Sequence, residues 1–127
     1  MSKAQGYTRL RTEGKAPSAR GGHTATLVES SLVVMGGTAA TKADEYAYFS
    51  LDPVVLDVAN LKWFTPRLAI GAPPEPRAYH SASRVGSAIY VFGGQRAKAQ
   101  PLGDLQVFDL RATAWRKPAA RGPPPRP

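Results

Sequence analysis

The sequence contains no cysteine among its 127 residues. This absence excludes a disulfide framework, a thiol nucleophile and a cysteine-ligated zinc site. It also fits a cytoplasmic or nuclear protein, and we expect the chain to act there. Apolar runs such as Leu32–Met35 and Pro53–Leu56 have only the length of a strand. We therefore expect no membrane span, and the first residues lack the apolar segment of a signal peptide.

Acidic residues are few compared with basic ones. The chain has 17 Lys and Arg against 9 Asp and Glu, which gives a net charge of +8 and a pI near 10.2. Such a field favours acidic partners, whether a protein surface, a phosphorylated segment or a nucleic acid. The 12 Gly and 12 Pro argue for short strands joined by turns rather than long helices.

Two segments of the chain repeat each other in register. Arg77 follows Arg20 by 57 residues, and Gly94 follows Gly37 by the same distance. In each segment an aspartate precedes a tryptophan by 6 residues. The shared landmarks are Arg20, His23, Gly36, Gly37, Asp57 and Trp63 in the first segment, and Arg77, His80, Gly93, Gly94, Asp109 and Trp115 in the second.

This order of landmarks resembles the kelch repeat over roughly residues 17–66 and 74–117. Leu56 departs from the pattern, because the family usually has an aromatic residue there, as at Phe108. The resemblance implies an all-β fold with two four-stranded antiparallel blades of a kelch-type β-propeller. Propellers use about 4–8 blades, so two blades make an incomplete ring. We expect the remaining blades of the same propeller as neighbours; a ring assembled from copies of this chain is the alternative.

The apolar stretches predict four strands, a to d, in each repeat. We expect the paired glycines to end strand b where backbones crowd near a central channel, and the tryptophans to pack between blades. The predicted strands span residues 23–28, 31–36, 54–58 and 61–65, then 80–85, 88–93, 105–110 and 114–117.

Four segments make up the predicted organisation. Residues 1–16 hold a lone strand d, at Tyr7–Leu10, of a missing or closing blade. Residues 17–72 and 73–118 are the two repeats. Residues 119–127 are a proline-rich linker to an absent next repeat, although their prolines could also serve as a polyproline ligand for an SH3-type domain.

Binding is predicted at one end of the blades. The b–c and d–a connections emerge together there and are long, and the kelch resemblance points to the same face. Tyr48 and Phe49 could instead cap the first blade or extend strand c, and the basic residues could form an ordinary solvated surface. The candidate contact residues are Tyr46, Tyr48, Phe49, Arg67, Arg96 and Lys98.

The repeated polar residues are interpreted as structural. His23 and His80 could in principle ligate a metal or act as a general base, but recurrence within a repeat favours a hydrogen-bonded role. Arg20 and Arg77 are expected to brace the linkers; a ligand contact in the channel is the other reading. The paired glycines match no phosphate-binding loop.

The sequence thus predicts no catalytic residue, metal or cofactor. We expect a protein-interaction scaffold or substrate adaptor that binds a peptide or an acidic surface. Two alternatives remain open. The chain could be part of a propeller enzyme whose active-site residues lie mostly in other blades, or it could present a basic surface to nucleic acid.

Overall fold

The computed structural model describes residues 8–42, 45–68 and 73–118. These residues form two four-stranded antiparallel sheets and two small hairpins. Within this part of the chain, the only helical element is a 3-10 turn at Ala97–Ala99, and no helix is long and apolar enough to cross a membrane. The strands are β1 (Thr24–Val28), β2 (Ser31–Met35), β3 (Thr38–Lys42), β4 (Glu45–Tyr48), β5 (Val54–Asp57), β6 (Lys62–Phe64), β7 (Ser81–Val85), β8 (Ala88–Phe92), β9 (Gln95–Arg96), β10 (Gln100–Pro101), β11 (Leu105–Asp109) and β12 (Ala114–Arg116).

The two large sheets are the predicted blades. Blade 1 has the order β1-β2-β5-β6, and blade 2 has the matching order β7-β8-β11-β12. Tight turns connect the first two strands of each blade, and both turns use a positive φ, at Glu29 (56°) and Gly86 (62°). The fold class predicted from the repeat is therefore confirmed, and the sheets remain open at both sides rather than closing into a ring.

The repeated aspartates build the next turn of each blade. Asp57 Oδ1 accepts hydrogen bonds from the backbone N–H groups of Ala59 and Asn60, at 3.0 and 3.3 Å. Asp109 Oδ1 accepts the equivalent pair from Arg111 and Ala112. A side chain that bonds the backbone two and three residues ahead fixes a turn. This local geometry explains why the aspartate stands at a constant distance before the tryptophan.

One hydrophobic cluster joins the two blades. The alternation of side chains along β2 places Val33 and Met35 on the face of blade 1 that meets blade 2. Blade 2 contributes Ile89, Val91 and the Phe108–Trp115 pair, whose ring centroids lie 5.1 Å apart; the other members of the cluster are Val28, Leu51 and Val55. Each fully buried Val, Ile or Phe stabilises the fold by about 1.5–3 kcal/mol. The cluster therefore holds the blades against each other.

The outer faces of the two blades are apolar and only partly covered by described residues. On blade 1, Leu27 is 54% exposed, and Leu32 and Trp63 are only half-buried. On blade 2, Val85 is 62% exposed, and Tyr90 and Phe92 are half-buried. This pattern explains the continuous apolar sequence of β2 and β8, because side chains on both sides of each sheet are built for packing.

The paired glycines lie where the backbone of one segment presses on another. A Cβ at Gly36 would stand 2.6 Å from the carbonyl oxygen of Arg77, and one at Gly94 would stand 2.7 Å from that of Ala78. Gly37 donates a 2.8 Å hydrogen bond to Arg77 O across the blade interface. Both glycines of each pair also have positive φ. Close approach and left-handed backbone together require glycine at these positions.

The amino-terminal segment differs from its prediction. Thr8–Leu10 form no strand, and Tyr7 lies outside the described residues. The reason is that a strand d needs a strand c beside it, and the described chain offers none there. Pairing instead occurs at Glu13, which forms a parallel bridge to Lys62 at the outer edge of blade 1. The linker predicted at residues 119–127 also lies outside the described residues, and the segment boundaries stay predictions.

Candidate functional site

The long b–c connections are hairpins rather than irregular loops. β3 and β4 form the hairpin of blade 1, and β9 and β10 form a shorter one around the 3-10 turn in blade 2. The first residue of each hairpin pairs with the linker that precedes strand a, in the bridges Gly21–Thr38 and Ala78–Gln95. The b–c and d–a connections of each blade are therefore tied together at one end of the molecule.

A groove separates the two hairpins. Its volume is about 760 Å³, which lies within the usual range of ligand-binding clefts. Tyr48 and Gln95 set the spacing of the walls, since Gln95 Nε2 donates a 3.0 Å hydrogen bond to the Tyr48 hydroxyl. The lining residues are Thr38, Thr41, Glu45, Tyr46, Ala47, Tyr48, Tyr79, Gln95, Ala97, Lys98 and Ala99.

Two exposed tyrosines provide the largest apolar surfaces of the groove. Tyr46 and Tyr79 are each 63% exposed. Tyr79 adopts a φ of 61°, and its N–H donates a 2.7 Å hydrogen bond to Gly22 O. A Cβ at Gly22 would lie 2.9 Å from the Tyr79 ring, so only glycine leaves room for it.

Sequence reasoning missed Tyr79. The signal was present in the repeat, because Gly22 and Tyr79 occupy equivalent positions and differ more than any other pair in the Arg-x-x-His segment. A large aromatic residue that appears in one repeat where the other has glycine indicates an individual role rather than a shared structural one.

The predicted contact residues separate into two groups. Tyr46, Tyr48 and Lys98 lie together in the groove. Arg96 instead pairs with Glu75 at 3.0 Å and donates to Gln100, while Arg67 is exposed and does not line the groove. Phe49 is half-buried beneath the guanidinium of Arg20, 3.8 Å from its ring centroid. A binding role for these residues stays a prediction.

Arg77 is enclosed by its own blade. It is 1% exposed and makes two hydrogen bonds with Asp104, at 2.6 and 3.0 Å, and a third with Gly93 O. Burial alone would raise the pKa of Asp104, but hydrogen bonds from Arg77 and Gln106 and the charge of Arg77 hold it below its ordinary value. The pair therefore fastens the linker before β7 to the start of β11.

Arg20 has the same backbone contact but no carboxylate partner among the described residues. Its Nη1 donates to Gly36 O at 3.1 Å, as Arg77 does to Gly93 O. The position of Asp104 is taken in blade 1 by Ser50, because both residues accept from the first glycine of the pair. Arg20 instead stacks on Phe49 and bonds to Ser18. Burial lowers the pKa of Arg20.

The equivalent histidines also differ. His80 is buried, and its Nε2 lies 2.9 Å from the Thr24 hydroxyl of the neighbouring blade. Burial, followed by the charges of Arg77 and His23, lowers the pKa of His80 to about 4. His23 is exposed. Among the residues with a described position, no group of three or more histidine, aspartate or glutamate side chains is arranged to hold a metal ion.

The two tryptophans differ in burial in the same way as the two histidines. Trp115 is buried between the blades against Phe108. Trp63, on the outer face of blade 1, is half-buried and donates a 3.2 Å hydrogen bond from Nε1 to the Thr12 hydroxyl. The histidine and the tryptophan of the second repeat are thus buried, and their counterparts in the first repeat are more open.

Comparison with known proteins agrees with this architecture. The chain is 32% identical over 121 residues to acyl-CoA-binding domain-containing protein 4 of Arabidopsis thaliana, a match that covers 95% of the chain and 17% of that protein. It is 42% identical over 76 residues to the Rab9 effector protein with kelch motifs of Bos taurus, covering 58% of the chain and 20% of that protein. It is 31% identical over 121 residues to the Rho GTPase-activating protein gacHH of Dictyostelium discoideum, covering 94% of the chain and 8% of that protein.

The chain therefore spans a fifth or less of the length of these curated relatives. A model of the KLHDC2/KLHL20/DRC7 Kelch-repeats domain matches residues 2–127, almost the full sequence. The repeated landmarks, the two antiparallel blades and this match lead to one conclusion: the chain belongs to the kelch-repeat family.

Proposed function

We propose that the chain binds a segment of a partner protein in the groove between the two b–c hairpins. The observation that carries this proposal is the pair of exposed tyrosines, Tyr46 and Tyr79, facing one groove. Exposed aromatic side chains on a rigid sheet scaffold supply large contact area at low cost in conformational entropy. Kelch-repeat domains generally act through protein contacts, which agrees with this assignment.

The charge of the chain favours an acidic segment. The net charge is +8, and Lys98 lines the groove with no carboxylate partner among the described residues. A carboxylate on the partner would gain from Lys98 mainly in association rate and specificity. Arg96 contributes less to this field, because Glu75 already neutralises it.

The names of the relatives do not identify the partner. They describe an acyl-CoA-binding domain, an effector of Rab9 and a Rho GTPase-activating protein. Proteins with such different names match this sequence, so the shared scaffold does not by itself determine the partner.

Peptide selection tests the proposal directly. We would select a display library of short random peptides, enriched in Asp and Glu, on the chain and measure the affinities of the selected peptides by fluorescence anisotropy. Tyr46→Ala and Lys98→Gln should each weaken binding by about tenfold or more, because both remove groove contacts. Matched controls are Phe64→Ala, an exposed aromatic on the outer strand of blade 1, and Arg111→Gln, an exposed cation at the opposite end of blade 2.

Binding that responds equally to the groove variants and the controls would contradict the proposal. Salt dependence separates the nucleic-acid alternative, since contacts with several phosphates would make the affinity for RNA or DNA fall steeply with salt. A salt-sensitive nucleic-acid complex that is unaffected by Tyr46→Ala would favour that alternative instead.

A further inference from the structure

Strand β4 is paired with β3 along one edge, and its other edge has no partner strand among the described residues. Phe49 N donates to Gly37 O at 2.8 Å, which sets the alternation of bonded and non-bonded pairs along the hairpin. Ala39 and Ala47 form the next bonded pair, while Thr38–Tyr48 and Ala40–Tyr46 are non-bonded pairs. The main-chain N–H and C=O groups of Tyr46 and Tyr48 therefore point away from β3.

Thr38 provides an internal check of this register. It is the partner of Tyr48, so its own main-chain groups must point out from the opposite edge of the hairpin. They do, because Thr38 exchanges hydrogen bonds of 2.8 and 2.9 Å with Gly21. The β3 edge is thus paired to the linker, whereas no described residue bonds the outward main-chain groups of Tyr46 and Tyr48.

The equivalent edge of blade 2 is closed. Pro101 pairs with Gln95 as Tyr48 pairs with Thr38, and Gln95 bonds to Ala78 as Thr38 bonds to Gly21. The nitrogen of Pro101 is therefore the one that would point outward, and it carries no hydrogen. The blade 2 hairpin also has strands of only 2 residues, compared with 4 in β4. Proline and short length are the usual means of blocking an edge strand.

We propose that the free edge of β4 binds an extended segment of a partner protein, which joins the β3–β4 hairpin as a third strand. Extended backbone is the one occupant that matches alternating donors and acceptors at every second residue. An acidic residue of the segment would face Lys98 on the groove wall, while Glu45, at the start of β4, is paired with Lys42. This inference rests on the proposed function and specifies how the segment is recognised.

Peptides selected on the chain provide the first test, and the protein itself stays unchanged in it. Each peptide is resynthesised with a single N-methyl group at successive positions. Methylation should weaken binding about fivefold to tenfold at two positions separated by one residue, and have little effect at the position between them, since only alternate N–H groups face β4. Sensitivity without this alternation, or no sensitivity at all, overturns the inference.

A protein variant provides the second test. Tyr48→Pro copies the closed edge of blade 2 and should weaken peptide binding about fivefold or more relative to Tyr48→Thr. Both variants lose the tyrosine ring and its contact with Gln95, so the comparison isolates the main-chain donor. Equal affinities of the two variants would count against a main-chain contact at this position.

Amide hydrogen exchange measured by NMR reports on the same groups. In the free chain the amides of Tyr46 and Tyr48 should exchange faster than that of Ala47, which is bonded to Ala39. Saturation with a selected peptide should slow the two tyrosine amides by about tenfold. Unchanged exchange overturns the inference.

The results of these experiments distinguish a failure of this inference from a failure of the proposed function. Peptides that lose affinity with Tyr46→Ala, yet tolerate N-methylation and Tyr48→Pro, would leave groove binding intact and remove the added strand. Peptides insensitive to Tyr46→Ala would remove both. A dimer of the chain that pairs β4 with β4, seen as a doubled mass without peptide and lost in Tyr48→Pro, would assign the edge to a second copy and also overturn the inference.

Discussion

Blade 1 and blade 2 carry the same arginine at the same point of the repeat, but within the described parts of the chain only the arginine of blade 2 has a carboxylate partner. Arg77 is buried with Asp104, whereas Arg20 stacks on Phe49 and has Ser50 where the carboxylate would be. The scaffold contact to the glycine carbonyl is identical in both blades. The comparison shows that the repeat fixes the backbone, while single substitutions around it decide whether a position is closed or open to partners.

Replacing each arginine with a neutral side chain should give the largest difference in stability between the two blades. Arg77→Met leaves Asp104, whose side chain is one-quarter exposed, without its counter-ion, so we expect the free energy of unfolding to fall by about 2 kcal/mol, less than for a fully buried pair. Arg20→Met removes hydrogen bonds to neutral acceptors and the contact with the Phe49 ring at a half-buried site, and we expect a loss of about 1 kcal/mol. Urea unfolding followed by circular dichroism measures both. Equal losses would show that the carboxylate makes no difference.

Acidic pH should reveal how differently the two histidines affect stability. His80 has a pKa of about 4 in the folded chain, below the 6.5 of an unfolded histidine. Between these values the unfolded chain binds the extra proton, so stability is full above about pH 6.5 and declines as the pH falls toward about 4. With allowance for partial solvation, the loss is about 2 kcal/mol.

Thermal melts across this pH range measure the effect of His80, and two variants serve as references. His80→Gln should flatten the dependence, while His23→Gln, at the exposed equivalent position, should reduce it only slightly, because His23 is the smallest of the three causes that lower the pKa of His80. A flat profile in the unmodified chain would show that His80 is not held in its neutral form.

Introducing the missing carboxylate into blade 1 should change the stability least. Ser50→Asp gives Arg20 the partner that Arg77 has, and we expect a gain of about 0.5–1 kcal/mol, limited by the exposure of Arg20. The gain should shrink as salt is added, which chemical unfolding at low and high ionic strength would reveal. Ser50→Asn is the neutral control, and an equal gain with this variant would exclude an ion pair as the cause.

Local sequence patterns were sufficient for the eight blade strands. Tight turns, apolar alternation and the recurring aspartate place each observed strand within its predicted range, as at β2 and β11. These elements follow from side chains that contact their own blade, so the information is local.

The hairpins at the groove could not be read in the same way. β3 contains Thr, Ala and Lys, β4 contains Glu, Tyr and Ala, and few of these side chains are buried. β3 is held instead by a backbone bridge to Gly21, 17 residues earlier. The ion pair of Arg96 with Glu75 likewise depends on two connections meeting in space. Such features arise from the docking of distant segments and leave no periodic signal in the sequence.

The shared hydrophobic cluster has a further consequence for how the molecule folds. Val33 and Met35 are enclosed only because blade 2 covers them, and Ile89 and Val91 only because blade 1 does. Neither blade can therefore retain its packing after the other has melted, and denaturation should proceed as a single cooperative event. A single blade should therefore not fold alone, and a cut at the connection between the blades should release two unstructured halves.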